Sequence, residues 1–173
     1  MSLIYEPEED SYLLSETLKK QIKNKKLKVL EIGIGSGIQL ETLNELGVTA
    51  IFGVDINKDA VKLCLKKGFN CAVSNLFSKV EGKFDLIIFN PPYLPEDKRE
   101  DEESKLATTS GEKGSELINK FLNQAEKYLS KKGKIFLLTS SLTKGINWKY
   151  WKKKKIAEKK LFFEKLFVWK LNK

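Results

Sequence analysis

Apolar residues along this chain recur at two spacings, and the alternation between them predicts the order of its elements. Between residues 8 and about 24, Tyr12, Leu13, Leu14, Leu18 and Ile22 recur with helical spacing behind an acidic start, which predicts a helix that caps the domain after it. "LKVLEIGIG" then predicts a short buried strand running into glycines, and "IQLETLNELG" a helix closed by Gly47. "AIFGVDIN" and "KDAVKLCLKKG" predict a second strand and a second helix, and "NCAVSNLF" a short third strand that ends at Asn75 and Leu76. "KFDLIIFN" reads as a fourth strand buried on both faces. An amphipathic pattern from a Ser115 cap to Gly133 predicts a further helix, and "KIFLLTSS" a fifth strand. "KKKKIAEKK" and "FEKLFVWKL" predict an antiparallel hairpin at one sheet edge. The βαβαβ start implies a parallel sheet with helices on both faces. The expected fold is one α/β domain over residues 1–173, with a seven-stranded, mostly parallel sheet ending in that hairpin. Residues 95–114 have no apolar period and are expected to form a lid or an insertion.

Composition narrows the chemistry. With 41% hydrophobic and 32% charged residues, no apolar run is long enough to cross a bilayer, and the opening "MSLIYEPEED" is no secretory signal, so a cytoplasmic place is expected. The chain has no histidine, which removes the commonest general base and any serine-hydrolase triad. Cys64 and Cys71 lack metal-site spacing and are expected as reduced, buried thiols, with no metal bound. The net charge of +9 suggests acidic partners, yet the excess is lysine and Arg99 is the only arginine. A dedicated reader of bases and phosphates would carry more arginine.

"EIGIGSG" sets Gly33, Gly35 and Gly37 at the first strand-to-helix turn, where an open α/β sheet binds its ligand, although a tight turn alone also calls for glycine. Ile38 stands where a dinucleotide fingerprint has its third glycine, and Glu31 precedes the loop. A carboxylate there repels a pyrophosphate but suits an ammonium beside a sulfonium, which points to S-adenosylmethionine. Asp55 ends the second strand, where it can accept from both ribose hydroxyls or cap the following helix. Asn75 can meet the adenine edge with its amide while Leu76 packs on the ring face.

After "FDLII" the chain reads "FNPPY". Pro91 and Pro92 cannot donate ladder hydrogen bonds, so they end the strand and hold Asn90 extended. With the glycine loop, Asp55 and "NPPY" in order on successive strands, the chain resembles the Rossmann-like class I S-adenosylmethionine-dependent methyltransferases, those acting on a nitrogen conjugated to a π system. The opening "YEPEEDSYLL" resembles the archaeal and eukaryotic branch of the HemK family, which methylates the glutamine of the GGQ motif in class 1 translation release factors. The resemblance implies that the Asn90 side-chain oxygen and the Pro91 carbonyl accept the two hydrogens of the substrate amide, that Pro92 stiffens the corner and that Tyr93 aligns the amide. It further implies cofactor contacts at Ser11, Glu31, Gly33, Gly35 and Asp55. Asn75 stands where the family has aspartate, and "SGEKG" keeps only part of a glycine-rich stretch.

The same resemblance implies a small, often zinc-containing activator protein that forms a heterodimer, and the short apolar third strand is an open edge to which a chain can add. Three other readings stand beside it. A nucleic-acid amino-methyltransferase would use the same corner, and "NWKYWKKKKIAEKK" interleaves aromatics with lysine as single-strand binders do; the acidic "PEDKREDEESK" opposes it. Protein lysine methylation is the second, and a non-catalytic cofactor-binding scaffold, which the intact "NPPY" disfavours, the third.

Overall fold

The structure, a computed structural model, describes residues 4–94 and 112–173. Helix α1 spans Glu9–Gln21, followed by β1 (Val29–Ile32), α2 (Ile38–Glu45), β2 (Ile51–Asp55), α3 (Lys58–Lys66), β3 (Cys71–Val73) and β4 (Phe84–Phe89). After the undescribed stretch come α4 (Glu116–Ala125), β5 (Leu129–Ser140), β6 (Lys152–Lys160) and β7 (Lys165–Asn172). The strands form one sheet in the order β3-β2-β1-β4-β5-β7-β6, parallel from β3 to β5, with β7 antiparallel to both its neighbours. This is the expected seven-stranded architecture. Every strand bearing a proposed site residue ends at the same rim, with β3 and β6 at opposite edges.

Two-residue alternation assigns the sheet's faces. Leu86 and Ile88 of β4 join Leu13, Leu14 and Leu18 of α1, Leu43 of α2, and Leu166 and Val168 of β7. Ile87 and Phe89 point the other way, toward Ile118, Phe121 and Leu122 of α4. The capping helix is therefore bound into the core. It also bonds to α2 through the Ser15 and Thr42 hydroxyls at 2.6 Å and forms an ion pair with the hairpin, Glu9 to Lys159.

The expected boundaries move in three places. Strand β3 stops at Val73, so Asn75 and Leu76 lie in the turn that follows; the Ser74 hydroxyl shapes that turn by donating to the Leu76 carbonyl and accepting from the Lys79 N–H. Ser115 holds the N-cap position of α4 without a side-chain cap bond, and the Glu116 carboxylate accepts the backbone N–H groups of Lys113 and Ser115. Gly133 does not close a helix. The chain leaves α4 through a 3₁₀ turn at Glu126–Tyr128 to pair Leu129 with Phe84, and Gly133 lies inside β5 at a register shift. Of the expected lid, residues 95–111 lie outside the described residues.

At Gly133 an added Cβ would stand 2.8 Å from the Phe84 carbonyl and 3.0 Å from the Leu129 side chain. Gly133→Ala should therefore cost about 1–3 kcal/mol in urea unfolding. An unchanged midpoint would mean that the strand opens freely there.

Candidate active site

The turn between β1 and α2 carries the glycines in left-handed conformations. Gly37, at φ +90°, is strained by any side chain: a Cβ would come within 2.8 Å of the Cys64 sulfur, which would have to shift. Asp55, at the end of β2, clamps this turn. Its carboxylate accepts from the Gly35 N–H at 3.0 Å and from the Asn57 N–H at 2.8 Å. Capping of α3 falls instead to Asn57, whose side chain accepts from the Asp59 N–H, so Asp55 is not the cap. Burial raises the Asp55 carboxyl above its ordinary range, and those amide bonds pull it back.

Glu31 is 2% exposed, and its Oε2 has no hydrogen-bond partner in the protein. Burial holds its carboxyl well above the usual range, and the nearby Cys64 and Asp55 push in the same direction. An uncompensated buried carboxylate is costly, so a cation at this spot would relieve the structure.

The second half of the site is the corner after β4. Asn90 donates through Nδ2 to Oδ2 of Asp10 at 3.1 Å, and the Tyr93 hydroxyl donates to the same oxygen at 3.4 Å. Tyr5 donates to both Asp10 oxygens at 3.0 Å, and the Ser11 N–H donates to Oδ1 at 2.5 Å. Asp10 is itself only 4% exposed. A carboxylate can only accept, so the Asn90 amide must present its NH2 group to Asp10, which leaves Oδ1 turned away. That oxygen is buried and unpartnered. Pro91 is buried, Pro92 and Tyr93 partly so, and the Thr143 hydroxyl donates to the Tyr93 carbonyl at 2.8 Å. Burial, then the adjoining Asp10 carboxylate, keeps both phenols protonated far above their ordinary range. The two halves touch: a Cβ on Gly33 would lie 3.6 Å from the Phe89 ring and 3.9 Å from the Asn90 carbonyl.

Sequence reading missed Asp10 and Gln39. Asp10 sits inside an acidic run that reads as a helix start, and only its 4% exposure separates it from its neighbours. Gln39 donates to the Ser11 carbonyl at 2.9 Å and keeps its own oxygen buried without a partner. Ser11 is buried against this pair, Asn75 is exposed at the rim, and Leu76 is buried with φ +50°, a left-handed conformation rare for leucine. Glu31, Gln39 and Asn90 thus each offer a bare acceptor oxygen, and a ligand that fits must bring donors.

The lysine-aromatic tail is occupied by the protein itself. Lys153 lies over the Trp148 and Trp169 rings at 4.4 and 5.2 Å, Trp151 is buried, and Tyr150 donates to Glu126. Trp151 and part of Trp148 are thereby withdrawn from solvent, whereas Tyr150 stays 58% exposed. Among the described residues no side-chain cluster could hold a metal ion, and no helix is long and apolar enough to cross a membrane.

The Glu31 carboxyl yields a pH test. Its folded pKa exceeds the ordinary 4.5, so the unfolded chain loses that proton first as pH rises. Its stabilising contribution is complete below about 4.5 and is lost as pH climbs through the raised folded value. Ligand-free Glu31→Gln should therefore melt above the parent at about pH 8, with the gap closing toward about pH 4. A variant that melts lower at every pH would contradict burial as the cause.

A family profile described as BMT5-like, rRNA (uridine-N3-)-methyltransferase, matches residues 16–170. A Methanocaldococcus jannaschii protein named "Putative protein N5-glutamine methyltransferase" is 43% identical over 148 residues, covering 81% of this chain and 74% of the relative. Mouse methyltransferase HEMK2 is 30% identical, covering 79% of this chain and 71% of its own length. The E. cuniculi Mtq2-Trm112 complex, described as responsible for methylation of the eRF1 translation termination factor, superposes with a TM-score of 0.79 at 23% identity over 98% of each chain. The fold is that of the class I methyltransferases, and by its curated relatives and the Asn-Pro-Pro-Tyr corner the chain belongs to the HemK family.

Proposed function

We propose that the chain transfers a methyl group from S-adenosylmethionine to the side-chain amide nitrogen of the glutamine in the GGQ motif of a class 1 translation release factor. The observation that carries this is the bare Asn90 Oδ1, presented by an amide whose other end Asp10 holds. The names of the archaeal relative and of the eRF1-methylating complex support the substrate.

The residues suit such a cofactor. Glu31 would face its ammonium, Asp55 has lone pairs left for the ribose hydroxyls, and Ile56, 68% exposed beside it, offers an apolar ledge near Asn75 and Leu76 for the adenine. Ser11 and the loop of Gly33 and Gly35 would border the methionine part. When bound, S-adenosylmethionine supplies a methyl group made electrophilic by its sulfonium. The protein's task is then the nucleophile. An amide nitrogen shares its lone pair with the carbonyl, so it needs alignment and charge stabilisation. Asn90 Oδ1 and the Pro91 carbonyl would accept its two hydrogens, and these bonds strengthen as positive charge grows on nitrogen, favouring the transition state over the ground state. The prolines restrict the corner, Tyr93 flanks the amide, and the surplus proton leaves to solvent after the new C–N bond has formed. No histidine is needed.

The BMT5-like profile favours a second reading, methylation of uridine N3 in RNA. That nitrogen carries one hydrogen between two carbonyls, so a pair of acceptors would hold one and repel the others. The profile match also begins at residue 16, beyond Asp10 and Ser11.

The exposed edge of β3, where Val73 is 41% accessible, suits a small partner protein that adds a strand; the neighbour's structure with Trm112 supports such a heterodimer, and a zinc-containing activator is our expectation. We also place the protein in the cytoplasm, where release factors act. The test is methyl transfer from labelled S-adenosylmethionine, with and without that partner, to the same organism's release factor with total RNA as competitor. Label should fall on the GGQ glutamine, rise with the partner, and drop about 100-fold or more in Asn90→Ala while cofactor affinity stays within about threefold. Label on RNA alone would overturn the substrate, and half-activity in Asn90→Ala would overturn the site.

A further inference from the structure

The most exposed aromatic side chains among the described residues are Phe162 and Phe163, at 91% and 85%. They occupy the turn between β6 and β7, with ring centres 4.7 Å apart and planes at 82°. Hairpin turns ordinarily carry glycine, asparagine or aspartate, and a paired apolar protrusion marks a contact surface. The turn is held firmly. Leu161 N–H donates to the Glu164 carbonyl at 2.8 Å, the Ser140 hydroxyl donates to the Glu164 carboxylate, and Ser141 N–H donates to the Lys165 carbonyl at 2.8 Å.

The same bonds tie it to the active site. Ser140 N–H donates to the Thr143 hydroxyl at 3.3 Å, and that hydroxyl donates to the Tyr93 carbonyl. Glu164 is close enough to Tyr93 and Tyr5 to add to the effect of burial and of Asp10 on both phenols. Because β7 and β6 are two and three strand positions from β4, the turn that joins them stands roughly 10–14 Å to the side of Asn90 on the same rim.

We propose that Phe162 and Phe163 dock the protein substrate, receiving an apolar side chain of the release factor away from its acceptor glutamine. This rests on the glutamine reading of the site. A span of roughly 10–14 Å exceeds the reach of a free amide but is well within one face of a folded domain. Perpendicular rings make a notch for an aliphatic side chain. Lys160 and Lys165, paired at the base of the turn, favour acidic residues around that side chain. The turn lies at the sheet edge opposite β3, so a partner on β3 leaves it free.

Steady-state kinetics on the intact release factor test this with Phe162→Ser/Phe163→Ser and with Phe162→Leu/Phe163→Leu. The serine variant should raise KM about tenfold with kcat within about twofold and no loss of melting temperature, and the leucine variant should recover most of the KM. An unchanged KM in the serine variant, while the parent methylates the factor, would overturn the docking site and leave the glutamine reading intact. Loss of RNA binding or of self-association at unchanged KM would overturn it in favour of a nucleic acid or a second copy. If the parent labels RNA alone, the glutamine reading falls and this proposal with it.

Discussion

The site depends on one buried carboxylate. Asp10, excluded from solvent, survives there because three side chains and a backbone N–H donate to it. Those donors come from the segment before α1, from its first turn and from the corner after β4, so α1 must dock for the corner to hold its shape. Docking is secured elsewhere, by Leu14 and Leu18 in the shared core, the Ser15–Thr42 bond and the Glu9–Lys159 ion pair. A helix that reads as a cap is a structural part of the site.

The electrostatics follow from that arrangement. Among the described residues Glu31, Gln39 and Asn90 each keep a buried oxygen without a partner. Burial disfavours the charged form of Glu31, and a cation beside it would favour that form again. Tyr5 and Tyr93, their phenols kept protonated by burial and Asp10, remain hydrogen-bond donors across any working pH. A ligand rich in N–H groups and positive charge is what this pattern selects, in keeping with an ammonium-bearing cofactor and an amide substrate.

Much of this was legible in the sequence. The period-two runs and the glycine and proline punctuation located the strands, the sheet class and the hairpin, because burial on both faces leaves a plain apolar signature in "FDLIIF". Asp55, Glu31 and "NPPY" stand out in the sequence because each lies at or beside the C-terminal end of a strand. Asp10 was hidden because an acidic first turn is what any helix favours, and its partners are 80 or more residues away in Asn90 and Tyr93. The end of α4 was misread for a similar reason: helical periodicity continues to Leu129, but pairing with Phe84 draws that residue into the sheet. Lysines beside tryptophans suggested a nucleic-acid surface, and only packing reveals that Lys153 covers the Trp148 ring and that Trp151 is buried.

The central claim is that Asp10 acts through Asn90, by sorting which end of its amide faces the acceptor. It is tested most directly by single-turnover methyl transfer in Asp10→Asn, Asn90→Ala and the double variant, at saturating cofactor and release factor. An asparagine at position 10 can accept or donate, so it no longer sorts the Asn90 amide. The rate should fall at least about tenfold in Asp10→Asn with cofactor binding unchanged, and the double variant should be no slower than Asn90→Ala alone. A parent-like rate in Asp10→Asn, or losses that multiply in the double variant, would contradict it.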